Sequence, residues 1–180
     1  SSGPSVEGRF VAPLTLNDPV GCQQSSFSNS SRSPAARLGR SGVATATRRF
    51  DSVGIRSTEQ SRRAYREMLF TTPGAAEFIS GVILYDETIR QKSSDGTPLA
   101  EVLSRQGIVP GIKVDTGAEP LAGSPEERVT EGLDGLRDRL SEYHGMGARF
   151  AKWRAVIRIT NALPSPACVS ANAHALARYA

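Results

Sequence analysis

Two of the three lysines in this chain lie inside short apolar segments, where a charged side chain is unusual. The other 19 basic residues are arginines, so the sequence otherwise uses arginine for positive charge. Lys113 lies within Gly111–Asp115 and Lys152 within Phe150–Arg154. A buried lysine is costly unless its charge is paired or its amine takes part in chemistry. Lysines in such places suit phosphate binding, proton transfer or imine formation.

Each of these lysines has a second charged residue two positions later. Asp115 follows Lys113, and Arg154 follows Lys152 with Trp153 between them. Because alternate residues of a strand share a face, each pair would lie on one side of its strand. If the strands are neighbours, two or three cations surround one acid, which suits an anionic, phosphorylated substrate. The pattern is equally consistent with a structural layer of salt bridges inside a barrel.

The elements that must position these residues alternate between helices and apolar strands. A capping pattern at residues 57–60 predicts a helix over Arg62–Phe70. The apolar runs predict three strands: Ile79–Tyr85, Ile108–Asp115 and Ala148–Ile157. Each strand is followed by a predicted helix: from a Thr97 cap with Pro98 in the first turn to about Arg105, over Leu133–His144, and from Ser165 and Pro166 onward. A long loop is predicted after the second strand.

The spacing of the strands indicates βα units in a parallel sheet. Strand centres lie roughly thirty to forty residues apart, which accommodates one crossover helix each. We therefore predict an α/β fold that is part of a (β/α)₈ barrel, covering about strands two to four with their helices. An open doubly wound sheet is the competing fold. No glycine-rich phosphate loop follows any of the strands, which argues against it.

Residues 1–40 differ in composition from residues 41–180, and we predict two regions with a boundary there. The first region is rich in Ser, Pro, Gly and Asn without a sustained period, so a basic unstructured tail is expected. Ser and Arg with few acids are also typical of transit peptides. Residues 1–50 hold six basic and two acidic residues, and residues 51–180 hold 16 of each. The net charge of +4 therefore belongs to residues 1–50 and does not indicate a nucleic-acid partner.

Other classes of site find no support in the sequence. Cys22 and Cys168 are far apart and have neither metal-binding nor redox spacing, so neither a disulfide framework nor a metal centre is expected. A reducing compartment is the simpler assumption. No Ser–His–Asp arrangement is evident, and no apolar run is long enough to span a bilayer.

Several consecutive segments resemble class I fructose-bisphosphate aldolase. The resemblance extends from about Arg48 to Ala180. The segments that carry it are, in order, Gly81–Thr88, Gly111–Asp115, Pro120–Gly123, Glu131–Gly135, Gly147–Val156 and Ala171–Ala180. Phe50–Gly54 and Asp86–Lys92 look closer to bacterial members of the family than to animal ones.

The resemblance implies a (β/α)₈ enzyme, usually a homotetramer, that needs no metal or cofactor. Such enzymes cleave fructose 1,6-bisphosphate into dihydroxyacetone phosphate and glyceraldehyde 3-phosphate through a lysine Schiff base. By motif, Lys152 and Asp115 are the catalytic residues, and Lys152 assists proton transfer at the imine. The implied substrate-binding residues are Lys113, Arg154, Arg49 and Arg62. A cytoplasmic role in glycolysis or gluconeogenesis follows, or a plastid one if residues 1–40 are a transit peptide.

The chain also departs from the family pattern. Aligning backward from Gly54 places Arg40 where the family's first strand carries a catalytic Asp. The family's fifth strand supplies paired glutamates and its sixth the Schiff-base lysine, and neither motif occurs in these 180 residues. We therefore expect the 180-residue chain to be the N-terminal portion of an aldolase and to be inactive alone. The alternative is a non-catalytic aldolase-like protein that binds a partner subunit or a phosphorylated ligand.

Overall fold

The computed structural model describes residues 5–13, 37–38 and 43–180, with side chains for Ala12 and residues 45–180. The strands are β1 (Ser5–Pro13), β2 (Arg37–Leu38), β3 (Gly81–Leu84), β4 (Val109–Lys113), β5 (Gly117–Leu121), β6 (Ser124–Glu131) and β7 (Phe150–Arg158). The helices are α1 (Val43–Asp51), α2 (Glu59–Phe70), α3 (Ala75–Phe78), α4 (Asp86–Arg90), α5 (Leu99–Arg105), α6 (Leu136–Gly145) and α7 (Pro166–Tyr179).

The described strands form one mixed sheet and one hairpin. The sheet has the order β1-β7-β4-β3-β2, and β5 pairs with β6 in the hairpin. Strands β2, β3, β4 and β7 run parallel, and each joins the sheet beside its predecessor. Helices lie between successive parallel strands, as βα units require. The predicted α/β fold with a partial parallel sheet is therefore confirmed.

The helix predicted after the capping pattern at residues 57–60 is present, but it begins at Glu59, and its capping box is Thr58 with Ser61 rather than Ser57 with Gln60. The last predicted helix begins as expected at Ser165 and Pro166. Thr58 caps α2: its side chain accepts a hydrogen bond from the Ser61 amide, and the Ser61 hydroxyl accepts one from the Thr58 amide. Ser165 caps α7 through the Cys168 amide, and Pro166 occupies the first turn. Both caps supply acceptors for amides that would otherwise lack a partner within the helix.

The predicted Thr97 cap is wrong. Pro98 occupies the cap position of α5 and makes no side-chain hydrogen bond there. Thr97 belongs to the preceding turn, where its amide donates to Asp95 Oδ1 at 2.9 Å and its carbonyl accepts from the Ser93 hydroxyl at 2.8 Å. The local turn therefore outcompetes the helix for the polar groups of Thr97.

The long loop predicted after the second strand is instead the β5–β6 hairpin. The hairpin turns at Gly123, which has a φ of +77°. It packs on β7, where the Thr130 hydroxyl donates to the Arg154 carbonyl at 2.6 Å. Much of β6 is polar or charged and exposed, so it lacks the apolar period that identifies a strand in sequence.

The expectation that residues 1–40 lack regular structure needs correction for the two residues of β2 and for Ser5–Pro13. These nine residues form β1, which pairs antiparallel with β7 from Ser5 opposite Arg158 to Pro13 opposite Phe150. The outer edge of β7 presents backbone donors and acceptors that need partners. A strand can supply these partners through its own backbone even when its sequence shows no apolar period. Residues 1–4, 14–36 and 39–42, and with them Arg40, lie outside the described residues. The boundary at residue 40 stays a prediction.

Helix α7 covers one face of β7. Trp153 is fully buried, and its ring centroid lies 5.4 Å from that of Tyr179. The Tyr179 hydroxyl donates to the Ala151 carbonyl at 2.8 Å and accepts a hydrogen bond from the Ala12 amide of β1. Burial raises the pKa of Tyr179 to about 12. Because Ala151 and Trp153 face α7, the alternating residues of β7 face the other side of the sheet.

A buried carboxylate joins the hairpin to α7. Glu127 of β6 is almost fully buried and accepts hydrogen bonds from the amide and the hydroxyl of Ser165, at 2.7 and 2.6 Å. These hydrogen bonds lower the pKa of Glu127. The negative charge lies at the N-terminus of α7, where the helix dipole favours it.

The face of the sheet opposite α7 begins with an aromatic ring packed on glycines. Phe150 pairs with Gly111 across β7 and β4, and its ring also lies against Gly81 of β3. A Cβ atom at Gly111 would overlap the Phe150 ring, and one at Gly81 would lie 3.2 Å from it. The two glycines therefore provide the space that lets one large side chain fill this end of the sheet.

We expect Gly111→Ala to lower the free energy of unfolding by about 1–3 kcal/mol, because the added methyl group displaces the Phe150 ring from its packed position. Urea unfolding followed by the fluorescence of Trp153, the single tryptophan, measures this. Gly145→Ala is the control, since a Cβ there meets no atom within 4 Å. Adding Phe150→Leu to Gly111→Ala should recover part of the loss. An unchanged free energy for Gly111→Ala would contradict the packing described.

Candidate active site

The two buried-segment lysines lie side by side on the sheet face opposite α7. Strands β4 and β7 are parallel neighbours, and Lys113 is the register partner of Lys152. Both lie two residues beyond the Gly111–Phe150 pair, on the same face of the sheet. This position is at the carboxyl end of β4, where parallel α/β proteins bind their ligands. The convergence expected from neighbouring strands is present.

Asp115 lies between the two lysines. Its Oδ1 atom is 2.8 Å from Lys113 Nζ and its Oδ2 atom 3.7 Å from Lys152 Nζ. The side chain of Asp115 is 1% exposed, against 12% for Lys152 and 27% for Lys113. Both lysines can therefore meet solvent or a ligand, whereas the carboxylate that compensates their charge is enclosed. Two ammonium groups therefore lie beside one carboxylate.

Tyr85 is a further residue of this cluster that the sequence analysis does not identify. The Lys113 ammonium lies 5.7 Å from the centroid of the Tyr85 ring and also donates a hydrogen bond to the Asp115 carbonyl. An ammonium group at this distance from an aromatic face is attracted to it. Tyr85 is 38% exposed, directly after β3. Ile83 of β3 pairs with Gly111 of β4, and continuing this register by two residues places Tyr85 opposite Lys113. Knowledge of the register would therefore have identified Tyr85.

Arg154 lies two residues after Lys152 on the same face of β7 and is half-buried. It thereby adds a third cation at the carboxyl edge of the sheet. The backbone of β7 at this position is held by the hairpin, since the Arg154 carbonyl accepts a hydrogen bond from the Thr130 hydroxyl of β6.

The two arginines assigned by resemblance lie on helices beside the sheet. Arg49 of α1 is exposed and donates to the hydroxyl of Tyr65 in α2. Arg62 of α2 makes two hydrogen bonds of 3.0 Å to the carboxylate of Glu87. These partners of Arg49 and Arg62 therefore lie outside the Lys113–Asp115–Lys152 cluster. A substrate-binding role for either arginine stays a prediction.

Glu87 is the centre of a separate ion-pair network below a surface cavity of about 550 Å³. Besides Arg62, it accepts from Arg66 at 2.6 Å, and Arg66 also donates to the Gln91 side chain at 2.8 Å. Arg66 is 1% exposed, so its charge depends on these partners. Burial acts to raise the pKa of Glu87, but the hydrogen bonds from Arg62 and Arg66 outweigh it, and the pKa is lowered overall.

We expect Glu87→Gln to lower the free energy of unfolding at neutral pH by about 2 kcal/mol, since it removes a charged partner of the buried Arg66. The folded-state pKa of Glu87 lies below its usual value of 4.5. Its contribution is therefore complete above that value and declines as the pH falls through the folded-state pKa. Urea unfolding at neutral pH and near pH 4 should show the difference between wild type and variant shrinking with acid.

The control for this prediction is Glu101→Gln. Glu101 pairs with Arg105 at 2.6 Å, but both side chains are about half exposed or more. An exposed pair of this kind contributes roughly 0.5 kcal/mol or less. Equal losses for the two variants, or a Glu87→Gln loss that does not depend on pH, would contradict the role assigned to the Glu87 network.

The cluster of Lys113, Asp115, Lys152 and Arg154 can perform two kinds of chemistry. Three cations near one edge attract and orient an anionic group such as a phosphate. A lysine that is mostly enclosed beside a carboxylate is also suited to proton transfer.

Among the residues that the structure describes, no group of three or more His, Cys, Asp or Glu side chains could hold a metal ion. No helix in the described part of the chain is long and apolar enough to cross a membrane.

Comparison with known proteins finds one family repeatedly. Residues 40–180 match the family model described as fructose-bisphosphate aldolase class-I. A probable fructose-bisphosphate aldolase class 1 from Xanthomonas campestris is 64% identical over 138 residues, which cover 77% of this chain and 41% of the relative. A cytosolic fructose-bisphosphate aldolase of Arabidopsis thaliana is 54% identical over 136 residues, 76% of this chain and 38% of the relative.

A solved structure gives the same result for the fold. The fructose-bisphosphate aldolase of Plasmodium falciparum, crystallised with TRAP and a small-molecule inhibitor, superposes with a TM-score of 0.77 at 41% sequence identity. The match covers 83% of this chain and 44% of that chain. The chain therefore spans about two-fifths of the length of the curated relatives it matches.

Proposed function

Because this chain belongs to the class I fructose-bisphosphate aldolase family, we propose that its lysine cluster binds phosphorylated ketoses, with fructose 1,6-bisphosphate as the intended ligand. The observation that carries the proposal is the pairing of Lys113 and Lys152 across β4 and β7, both beside the enclosed Asp115. The phosphate groups of such a sugar can accept charge-assisted hydrogen bonds from the lysine and arginine side chains of this cluster.

Each residue of the cluster takes a separate role in this proposal. Lys113 and Arg154 bind oxygen atoms of the substrate, and Asp115 holds the two lysines at a fixed separation. Lys152, 12% exposed, moves protons to and from the substrate during carbon–carbon cleavage. Arg49 and Arg62 add phosphate contacts from the helices. The resemblance assigns imine formation to a lysine of the family's sixth barrel strand, outside this cluster.

We further propose that the 180-residue chain alone binds substrate without cleaving it. Lys152 and Lys113 already have a proton-transfer and a binding role, and both are paired to Asp115. Cleavage of the ketone requires an additional lysine as the electron sink. Treatment with dihydroxyacetone phosphate and borohydride should therefore leave Lys113 and Lys152 unmodified in a peptide map. A reduced adduct on either lysine would overturn the division of roles.

The binding itself can be tested by calorimetry with fructose 1,6-bisphosphate. Lys152→Met and Lys113→Met should each raise the dissociation constant about tenfold. This is the change expected when one charge-assisted hydrogen bond to the ligand is lost. Arg105→Met is the control, because Arg105 is exposed and pairs with Glu101 of the same helix. Equal affinity for unphosphorylated fructose, or equal losses in all three variants, would exclude the proposed site.

The proposal also covers assembly and location. As in the resemblance, we propose a homotetramer of the longer protein that works in the cytoplasm on fructose 1,6-bisphosphate and triose phosphates. The cytosolic Arabidopsis relative supports this location. Light scattering on the protein isolated from its source, together with fractionation of those cells, tests both statements. A monomer, or recovery in plastids, would contradict them.

A further inference from the structure

Arg139 of α6 joins the backbone segments that follow two strands, β4 and β6, beside the lysine cluster. Its Nη1 atom donates to the Val114 carbonyl at 3.0 Å, directly after β4, and its Nη2 atom donates to the Gly132 carbonyl, directly after β6. The Arg139 guanidinium also lies near the hydroxyl of Tyr143. That hydroxyl in turn donates to Asp86 Oδ1 at 3.0 Å, one residue beyond Tyr85.

The bond to Val114 fixes the backbone from which the Asp115 side chain extends. The Val114 amide donates to the Lys152 carbonyl at 3.1 Å, so the peptide groups on both sides of Val114 are held, one by β7 and one by Arg139. On the other side of Asp115, the Thr116 amide donates to the Glu131 carbonyl at 3.0 Å. The direction of the Asp115 side chain is therefore set by its backbone neighbours.

Gly132 allows the hairpin to approach this backbone closely. With a φ of +123°, it adopts a conformation that favours glycine. A Cβ atom there would lie 2.9 Å from the Thr116 amide nitrogen and 3.1 Å from Asp115 Cα. The ends of β4 and β6 are thus in direct contact, and Arg139 bridges their two carbonyl groups.

We propose that Arg139 is a positioning residue of the ligand site: it orients Asp115 so that one carboxylate faces both lysines. That the cluster is a ligand site rests on the proposed function, whereas the hydrogen bonds of Arg139 do not depend on it. A guanidinium group suits the role because its planar fork donates to the carbonyls of Val114 and Gly132 at once. A lysine ammonium is a compact point charge and cannot span the same acceptors with fixed directions.

The first test measures fructose 1,6-bisphosphate affinity by calorimetry for Arg139→Gln and Arg139→Lys, at a temperature where the variants are folded. We expect each to weaken binding about tenfold. Guanidinium at millimolar concentration should restore part of the affinity to Arg139→Ala, since it can occupy the vacated position. Arg137→Gln is the control, because Arg137 is exposed on the same helix.

Tyr143→Phe separates positioning from stability. It removes the link to Asp86 but keeps the bonds from Arg139 to Val114 and Gly132. We expect Tyr143→Phe to lower the urea midpoint while leaving the affinity unchanged. If Arg139→Gln likewise lowers only the midpoint, Arg139 is a structural tie between helix and sheet, and the proposal is overturned.

A second measurement does not require a ligand. Because the chain has three lysines, protein labelled with ¹³C at the lysine ε-carbon gives three side-chain signals. In Arg139→Gln the signals of Lys113 and Lys152 should shift, and that of Lys92 should not. If wild type fails to bind the sugar, the proposed function falls, and the lysine spectra still decide the role of Arg139. Unchanged Lys113 and Lys152 signals would refute it.

Discussion

Replacing Lys152 with alanine should lower kcat by about two orders of magnitude or more, the effect expected when a proton-transfer group is lost. Activity is measured in a chimera in which residues 43–180 replace the matching segment of the Xanthomonas campestris aldolase, which is 64% identical to this chain. Lys152 Nζ lies 3.7 Å from Asp115 in an environment that leaves 12% of the side chain exposed. No other side chain of β7 offers an ionisable amine on this face.

Two further variants separate proton transfer from charge. Lys152→Arg keeps the positive charge but replaces the amine with a guanidinium that is effectively always protonated. Its kcat should therefore stay low, while its KM should be closer to that of the unmodified chimera than the KM of Lys152→Ala. Lys92→Ala should behave as the unmodified chimera. A near-normal kcat for Lys152→Ala would show that proton transfer belongs to another residue.

Asp115→Asn should lower the free energy of unfolding by about 3 kcal/mol, because it leaves two ammonium groups without their shared counter-charge. The Asp115 side chain is 1% exposed, so in the variant water cannot enter to compensate for the lost carboxylate charge. Urea unfolding of the 180-residue chain measures the effect through the fluorescence of Trp153, which lies between Lys152 and Arg154 in β7. Asparagine preserves the shape of the side chain, so the loss reports the charge.

A double-mutant cycle assigns this loss to the ion pair. In a Lys113→Met background, Asp115→Asn should cost less, since one of the two ammonium groups that Asp115 contacts is absent. A Glu101→Asn substitution in the same background should cost equally with or without Lys113, because Glu101 pairs with Arg105 instead. If Asp115→Asn costs the same in both backgrounds, the coupling between Asp115 and Lys113 is negligible.

The lysine cluster could be foreseen because it depends on local spacing and on one property of the fold. Lys113 and Asp115 are two residues apart, as are Lys152 and Arg154, and a strand places such pairs on one face. The regular succession of strands and helices predicts parallel neighbours, which brings the two pairs together. The resemblance added chemical roles to these residues but was not needed to bring them together.

Other parts of the site depend on partners that are distant in sequence. Tyr85 joins the cluster only because the register of β3 on β4 brings its ring to 5.7 Å from Lys113. In the sequence, Arg139 is an ordinary charged residue of a helix. Its contacts with the carbonyls after β4 and β6 exist only because the fold brings those strand ends next to α6. Glu87 and Arg66, 21 residues apart, carry no shared motif that indicates their ion pair.

The sequence by itself determined the α/β class, the order of the parallel strands and the two lysine faces, because each follows from apolar period and short-range spacing. The tertiary structure alone decided that Ser5–Pro13 covers the edge of β7, that residues 117–131 form a hairpin, and that Asp115 is enclosed between two lysines. Backbone hydrogen bonding across a sheet edge and the burial of a charge depend on what the rest of the chain brings to them.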